Sequence, residues 1–313
     1  MSIKLPFEVA MCLPAYNEEA NLKKLLPKLI RERDLTEIVV IASGCTDSTI
    51  EVARSFEPRV RVLIQPEREG KASAINLFLR ETSTPIVIME STDTLPGAGT
   101  IRHLLNRFLD PEVGAVGSRP VPSNIPNTVM GIAAHILWKA HHYLALEHPK
   151  LGEMIAWRRL DIGAIELELE GTLEEFFETS IKALFQLADT TAVDEAFIEA
   201  SIVAAGYKVV YEPLAVTYNR GPDNMTDLIK QRKRIYRGHL SLKASGYSVS
   251  TLSPWKGLAA TFKAAPKSPK GILSWLILMY AEAYSRVTTD KKAPEVAIWD
   301  IATSTKKVHQ ESH

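Results

Sequence analysis

Cysteine is scarce in this 313-residue chain: there are two, Cys12 in an apolar run and Cys45 in a loop. That is neither the number nor the spacing of a disulfide framework or a zinc site, and it fits a reducing, cytoplasmic setting. Charge of one sign is not in excess either, since 37 Lys and Arg balance 37 Asp and Glu. No global field draws the chain to nucleic acid or to an anionic membrane, so any anion site must be local. The opening MSIKLPFEVAMCLP is interrupted by Lys4, Pro6 and Glu8. It lacks the apolar core of a signal peptide, and secretion by that route is not expected. The apolar run in ILSWLILMYAEAY falls short of the roughly 20 residues that span a bilayer and reads as a core-capping or interfacial helix. Neither GxGxxG nor GxxxxGK[ST] occurs, which leaves dinucleotide binding and a P-loop without support. Internal repeats and low-complexity segments are missing as well.

What is present is a regular alternation. FEVAMCLPAY reads as a strand ending at Pro14, and NEEANLKKLLPKLIRER as a helix with Asn17 as its cap. EIVVIASGCTDST is a strand entering a small-polar loop, STIEVARSF a helix, VRVLIQP a strand, GKASAINLFLRET a helix and PIVIME a fourth strand. This order predicts an α/β fold, a Rossmann-like, mostly parallel sheet with helices on both faces. Further on, GAVGSRPVP reads as a strand and turn, and TVMGIAAHILWKAHHYLALEH as a long helix. Residues 152–200 mix strand-like and helical pieces. AFIEASIVAAG is a helix stopped at Gly206, YKVVYEPLAVTYN a strand pair or one bent strand, and MTDLIKQRKRIYRGHLSLKA a basic helix. The length suits one large α/β domain with an appendage, or two modest domains.

The strand ends share a chemistry. The first runs into PAYNEE, the second into ASGCTDST and the fourth into ESTDT. Acids there can accept from base or ribose donors, and small residues let a ligand approach the backbone, which suits a nucleoside held at the carboxyl edge of the sheet.

In order and separation, PAYNEEANL, SGCTDST, EGKASAIN, the acid after the fourth strand, VDEAFIEASIVAAGYKVVYEPLAVTYNRGP and QRKRIYRG resemble the family-2 inverting glycosyltransferases of the nucleotide-sugar-binding GT-A fold. The likeness covers roughly residues 8 to 245. It implies a catalytic domain over 1–245 and a C-terminal helical extension over 246–313. By the resemblance, Pro14, Ala15, Tyr16 and Glu18 cradle the nucleobase and ribose, Asp47 reads a pyrimidine edge, and Lys71 lies near base and phosphates. Asp93 matches the second acid of the metal-binding DXD motif, whose first acid is replaced by Ser91, here a donor-side residue. Glu90 is one residue out of step and so belongs to the opposite face. One carboxylate with substrate phosphates and water is enough for Mg²⁺ or Mn²⁺; the other reading of Asp93 is a turn acid within TDTLPG.

The same resemblance makes Glu195 the catalytic base, with Asp194 as the alternative, although the pair also reads as first-turn acids favoured by a helix dipole. Gln231, Arg232 and Arg234 fall on the QxxRW motif, with Ile235 in place of Trp and Arg237 one turn on; a solvated basic face is the plainer reading. Trp157 and Arg158 in GEMIAWRR would line the acceptor cleft, unless that segment is simply a packed strand. Asn219 stands where the family often has a metal-holding histidine, and His135, His141 and His142 have no metal-ligand spacing.

The expected activity is transfer of a sugar from a nucleotide-diphosphate sugar, a UDP-sugar by Asp47, to a hydroxyl of a glycan or lipid-linked acceptor, without nucleic acid. A lapsed nucleotide-sugar-binding or scaffold protein, and a nucleotidyltransferase, are the alternatives. The latter needs a basic first loop, whereas PAYNEE is acidic. Lys263, Lys267 and Lys270 ahead of ILSWLILMYAEAY suit peripheral contact with the inner face of the cell membrane; the other reading packs that helix on the catalytic domain.

Overall fold

The computed structural model describes residues 5–159, 194–244, 254–289 and 303–306. Strands β1 (Val9–Ala15), β2 (Glu37–Ser43), β3 (Arg61–Gln65) and β4 (Ile86–Met89) alternate with helices α1 (Glu19–Leu29), α2 (Thr49–Arg54) and α3 (Lys71–Glu81). A short β5 (Leu95–Pro96), α4 (Thr100–Asn106), β6 (Val113–Pro122), α5 (Val129–Glu147) and β7 (Ile155–Arg158) follow. Then come α6 (Asp194–Ala204), β8 (Lys208–Asn219), α7 (Met225–Ala244), α8 (Pro254–Ala264) and α9 (Pro269–Thr288).

The eight strands form one sheet in the order β3-β2-β1-β4-β7-β6-β8-β5. β1 pairs in parallel with β2 and β4, and β2 with β3. β7 runs antiparallel to both neighbours and β5 antiparallel to β8, while β6 and β8 are parallel. The sheet is therefore mostly parallel, as the βαβ alternation predicts.

Period-two alternation sends successive strand residues to opposite faces. Met11, Leu13, Ile38, Val40, Ile86 and Ile88 meet Leu22, Leu25, Leu26 and Leu29 of α1 on one face. Cys12, Val39, Ile41, Val87 and Met89 meet Ile75, Phe78 and Leu79 of α3 on the other. With both faces covered, a ligand reaches the sheet only at its edges. β8 is one bent strand, its register against β6 shifting between Gly117 and Arg119. Gly206 closes α6 at a left-handed φ of 81°.

Two local features depart from the sequence reading. Asn17 does not cap α1; Glu18 holds that position. Asn17 takes a φ of 54°, and its Oδ1 accepts from the Thr46 amide at 2.8 Å, tying the first loop to the second. Of the mixed segment 152–200, residues 160–193 lie outside the described residues.

The C-terminal helices pack on α5 and α7 through a separate core of Ile132, Ile136, Leu228, Ala260, Leu278 and Ala281. On α9 the inward face is small: Gly271, Ser274, Leu278, Ala281 and Ser285. Leu273, Leu276, Tyr280, Tyr284 and Val287 on the same helix are exposed, together with Trp255 and Phe262 on α8. No helix among the described residues is long and apolar enough to cross a membrane.

Candidate active site

The carboxyl ends of β1, β2 and β4, the start of α6 and the end of β8 converge. From the first loop, Pro14 and Tyr16 are half-buried and Ala15 is buried. The Arg68 guanidinium stacks over the Tyr16 ring at 4.3 Å, a planar platform that the sequence reading did not foresee. Glu18 is 2% exposed, accepts from Asn21 Nδ2 at 2.6 Å and pairs with Lys306. Burial raises its pKa against the opposing pull of Lys306.

Asp47, at the rim of the second loop, accepts from the Thr49 amide at 3.0 Å and the Glu19 amide at 3.3 Å. It braces the first turns of α2 and α1 while remaining exposed. At the end of β4, Glu90 is fully buried, its carboxyl turned inward to Thr94. Burial pushes its pKa up to about 8, and its second oxygen, Oε2, is buried with no donor among the described residues. The turn is built by Thr94, whose amide and hydroxyl both donate to the Ser91 carbonyl at 3.0 and 2.7 Å. Asp93 takes no part in that pair. Its carboxylate, a quarter exposed, has the Lys306 ammonium 3.9 Å away.

Lys71 opens α3 and reaches across the site, Nζ lying 2.6 Å from Asp194 and 2.9 Å from Glu195. Burial disfavours its charge, but the two carboxylates hold it protonated. Burial and the Glu195 charge push Asp194 up to about 6. Burial acts on Glu195 in the same sense, yet Lys71 outweighs it and the net shift is downward. Two adjacent acids are thereby pushed in opposite directions by their surroundings. The contact of the lysine with both acids is one the sequence did not suggest.

On α7, Arg234 acts electrostatically on both Glu195 and Lys306. Gln231, half-buried, lies one turn before it. Arg232 feels Glu282 and Arg286 of α9 as well as Arg234. Trp157 and Arg158 are not in a cleft. Trp157 is 1% exposed in the core beneath α3 and α6, because alternation along β7 turns it to that face. Arg158 donates to the carbonyls of Val113 and Phe108 and covers the Phe108 ring. The packed-strand reading describes this pair.

Two participants were missed. Glu153, just before β7, accepts from Asn219 Nδ2 at 2.9 Å. Burial, then Asp93 and Glu195, push its pKa up to about 7. Lys306 arrives from a turn at 303–306 fastened by Ser304, whose hydroxyl donates to Asp227 at 2.6 Å, and by its own carbonyl, which accepts from Asn21 at 2.7 Å. The acid in GEMIAWRR was visible in the sequence; nothing local flagged Lys306.

The donor chemistry suits a hard divalent cation. Asp93 has the Lys306 ammonium at 3.9 Å, Glu153 accepts from Asn219 Nδ2, and among the described residues the buried Asn219 Oδ1 has no donor. Mg²⁺ and Mn²⁺ take such oxygen ligands and leave positions for phosphate and water. Among the described residues no three Asp, Glu, His or Cys side chains already form a closed cage.

Residues 11–153 match the model of the family described as Glycosyl transferase family 2. The chain is 24% identical over 235 residues to a poly-beta-1,6-N-acetyl-D-glucosamine synthase of Staphylococcus aureus (strain COL), covering 74% of this chain and 54% of that one. It is 22% identical over 242 residues to the probable glycosyltransferase YdaM of Bacillus subtilis (strain 168), covering 74% and 55%. The chain thus spans about half the length of these curated relatives. Among solved structures, mannosyltransferase PcManGT from Pyrobaculum calidifontis, in complex with GDP-Man and Mn²⁺, shares the fold. The TM-score is 0.55, the identity 20%, and the match covers 91% of this chain and 71% of that one.

Proposed function

We propose, from the match of residues 11–153 to glycosyl transferase family 2, that the chain transfers a sugar, with inversion, from a nucleotide-diphosphate sugar to an acceptor hydroxyl. The observation that carries the reading is Lys71 spanning Asp194 and Glu195 at the edge of the sheet where the nucleoside loops end. The acceptor hydroxyl oxygen attacks the anomeric carbon as the bond from that carbon to the β-phosphate oxygen breaks. The bonding pair leaves with the nucleoside diphosphate, and the hydroxyl proton passes to Glu195. Lys71 keeps Glu195 ionised and fixes its position. Arg234 and Lys306 supply fixed positive charge near the departing phosphates. A divalent cation, when bound at Asp93, neutralises further charge on that leaving group.

The mannosyltransferase holds GDP-Man, so the fold by itself does not select the base; the preference for a UDP-sugar rests on Asp47 and the acidic first loop. Hydrolysis of UDP-sugars by the full chain in Mn²⁺ tests the activity. No turnover of any nucleotide sugar, with UDP still bound, would support the lapsed binding protein instead.

A second observation bears on the acceptor. α9 is amphipathic in the inverse sense, small residues inward and Leu273, Leu276, Tyr280, Tyr284 and Val287 outward. Residues 254–289 also hold five basic residues and one acidic one. Continuous apolar exposure of this kind is an interaction surface. We take helices α8 and α9, within 254–289, to rest on an anionic lipid surface at the inner face of the membrane, beside a glycan or lipid-linked acceptor.

A further inference from the structure

The two replacements in the metal motif, Ser91 for an acid and Asn219 for a histidine, remove ligands from one place. Strand pairing brings another carboxylate there. Tyr218 lies opposite Leu95, so Asn219, one residue on, comes alongside the turn that carries Asp93. On the neighbouring strand the Ser118 amide donates to the Met154 carbonyl at 3.0 Å, and the Met154 amide to Ser118 Oγ at 3.3 Å. Ser118 Oγ in turn accepts from Thr217 Oγ1 at 3.1 Å. Glu153, the residue before Met154, is thereby fixed against the end of β8, and Asn219 Nδ2 donates to it at 2.9 Å. That bond uses the amide nitrogen and leaves Oδ1 of a 5% exposed residue with no donor among the described residues.

A buried acceptor without a donor costs about 1–3 kcal/mol; beside two carboxylates, a cation is what satisfies it. Of the other acids, Glu18 is engaged by Asn21 and Lys306, and Asp194 and Glu195 by Lys71, while Glu90 turns one oxygen to Thr94 and keeps Oε2 buried beneath the turn. Among the described residues Glu153 is held by the neutral Asn219 amide. The Lys306 ammonium, 3.9 Å from Asp93, shows independently that positive charge is held at this point. We propose that Glu153 and the Asn219 amide oxygen join Asp93 as ligands of the divalent cation, Glu153 standing in for the acid that Ser91 lacks. The inference rests on the nucleotide-sugar reading and names the ligands of that same site. An all-oxygen set of two carboxylates and one amide suits Mg²⁺ or Mn²⁺, with phosphate and water completing six-coordination.

Mn²⁺ titrated into the full chain with UDP present, followed by loss of the free-ion electron paramagnetic resonance signal, tests it without reference to turnover. Glu153→Gln, which keeps shape and can still pair with Asn219, is expected to weaken Mn²⁺ binding by about tenfold or more. Adding Ser91→Asp to that variant is expected to restore binding. Should Glu153→Gln fail to fold, Asn219→Ser removes the buried oxygen and is expected to shift Mn²⁺ affinity in the same direction. If Glu153→Gln binds Mn²⁺ as the natural chain does while Asp93→Ala does not, Glu153 is no ligand and the proposal falls. If the natural chain takes up no Mn²⁺ with UDP, the nucleotide-sugar reading falls first.

Discussion

Asp194 and Glu195 are adjacent in sequence but not equivalent in chemistry, and the difference can be measured. A general base must be ionised, so the rate is lost as pH falls through its pKa. With Lys71 holding Glu195 below the ordinary carboxylate value of 4.5, kcat is expected to persist down through pH 5. A half-loss near pH 6 would instead assign the base to Asp194, whose pKa is pushed up to about 6. Glu195→Gln is expected to lower kcat by about 10²- to 10⁴-fold. Lys71→Met removes the charge that depresses Glu195 and should move the acid limb of the profile upward; an unmoved limb would mean that Lys71 does not set the base. Residue types carried much of this site into the sequence: Asp93, Lys71 and the acid pair were all legible there. Glu153 stands in GEMIAWRR, but its place beside Asn219 could not be read there, and Lys306 carried no signal, because what recruits them is pairing of β7, β6 and β8 and a contact spanning 288 positions, neither of which leaves a local mark.

Elements were legible where a period ran long enough. The three βα units and the fourth strand of the first third follow from apolar spacing, whereas the two-residue β5 and the antiparallel insertion of β7 have too few residues to show a period. β7 also explains the misplacement of Trp157: an aromatic beside arginines reads as a binding pair until alternation turns it under α3 and α6. Trp157→Ala is therefore expected to cost about 3–5 kcal/mol of folding stability, from lost burial and a residual cavity. A chemical denaturation series reports that loss. UDP affinity of the folded fraction should stay unchanged. A variant of normal stability with a raised KM for acceptor would return Trp157 to the cleft.

At the scale of the whole molecule, neutral net charge hides a local excess: residues 254–289 hold five basic residues and one acidic one beside exposed apolar side chains. Co-sedimentation with anionic liposomes is expected, decreasing as salt rises. Leu276→Ser with Tyr280→Ser should reduce it without altering the melting temperature, since both side chains are exposed. A full-length chain that ignores anionic liposomes at low salt would leave a freely diffusing acceptor as the better reading. The central claim is that the converged loops form a metal-dependent nucleoside-diphosphate site, and calorimetric titration with UDP and GDP, with and without Mn²⁺, tests it most directly. The account predicts micromolar UDP binding in Mn²⁺, weaker binding of GDP, and a loss of about tenfold or more, ~1.4 kcal/mol, on removing Mn²⁺ or in Asp93→Ala. Tighter binding of GDP would contradict the uridine preference, and UDP binding indifferent to both Mn²⁺ and Asp93 would contradict the site itself.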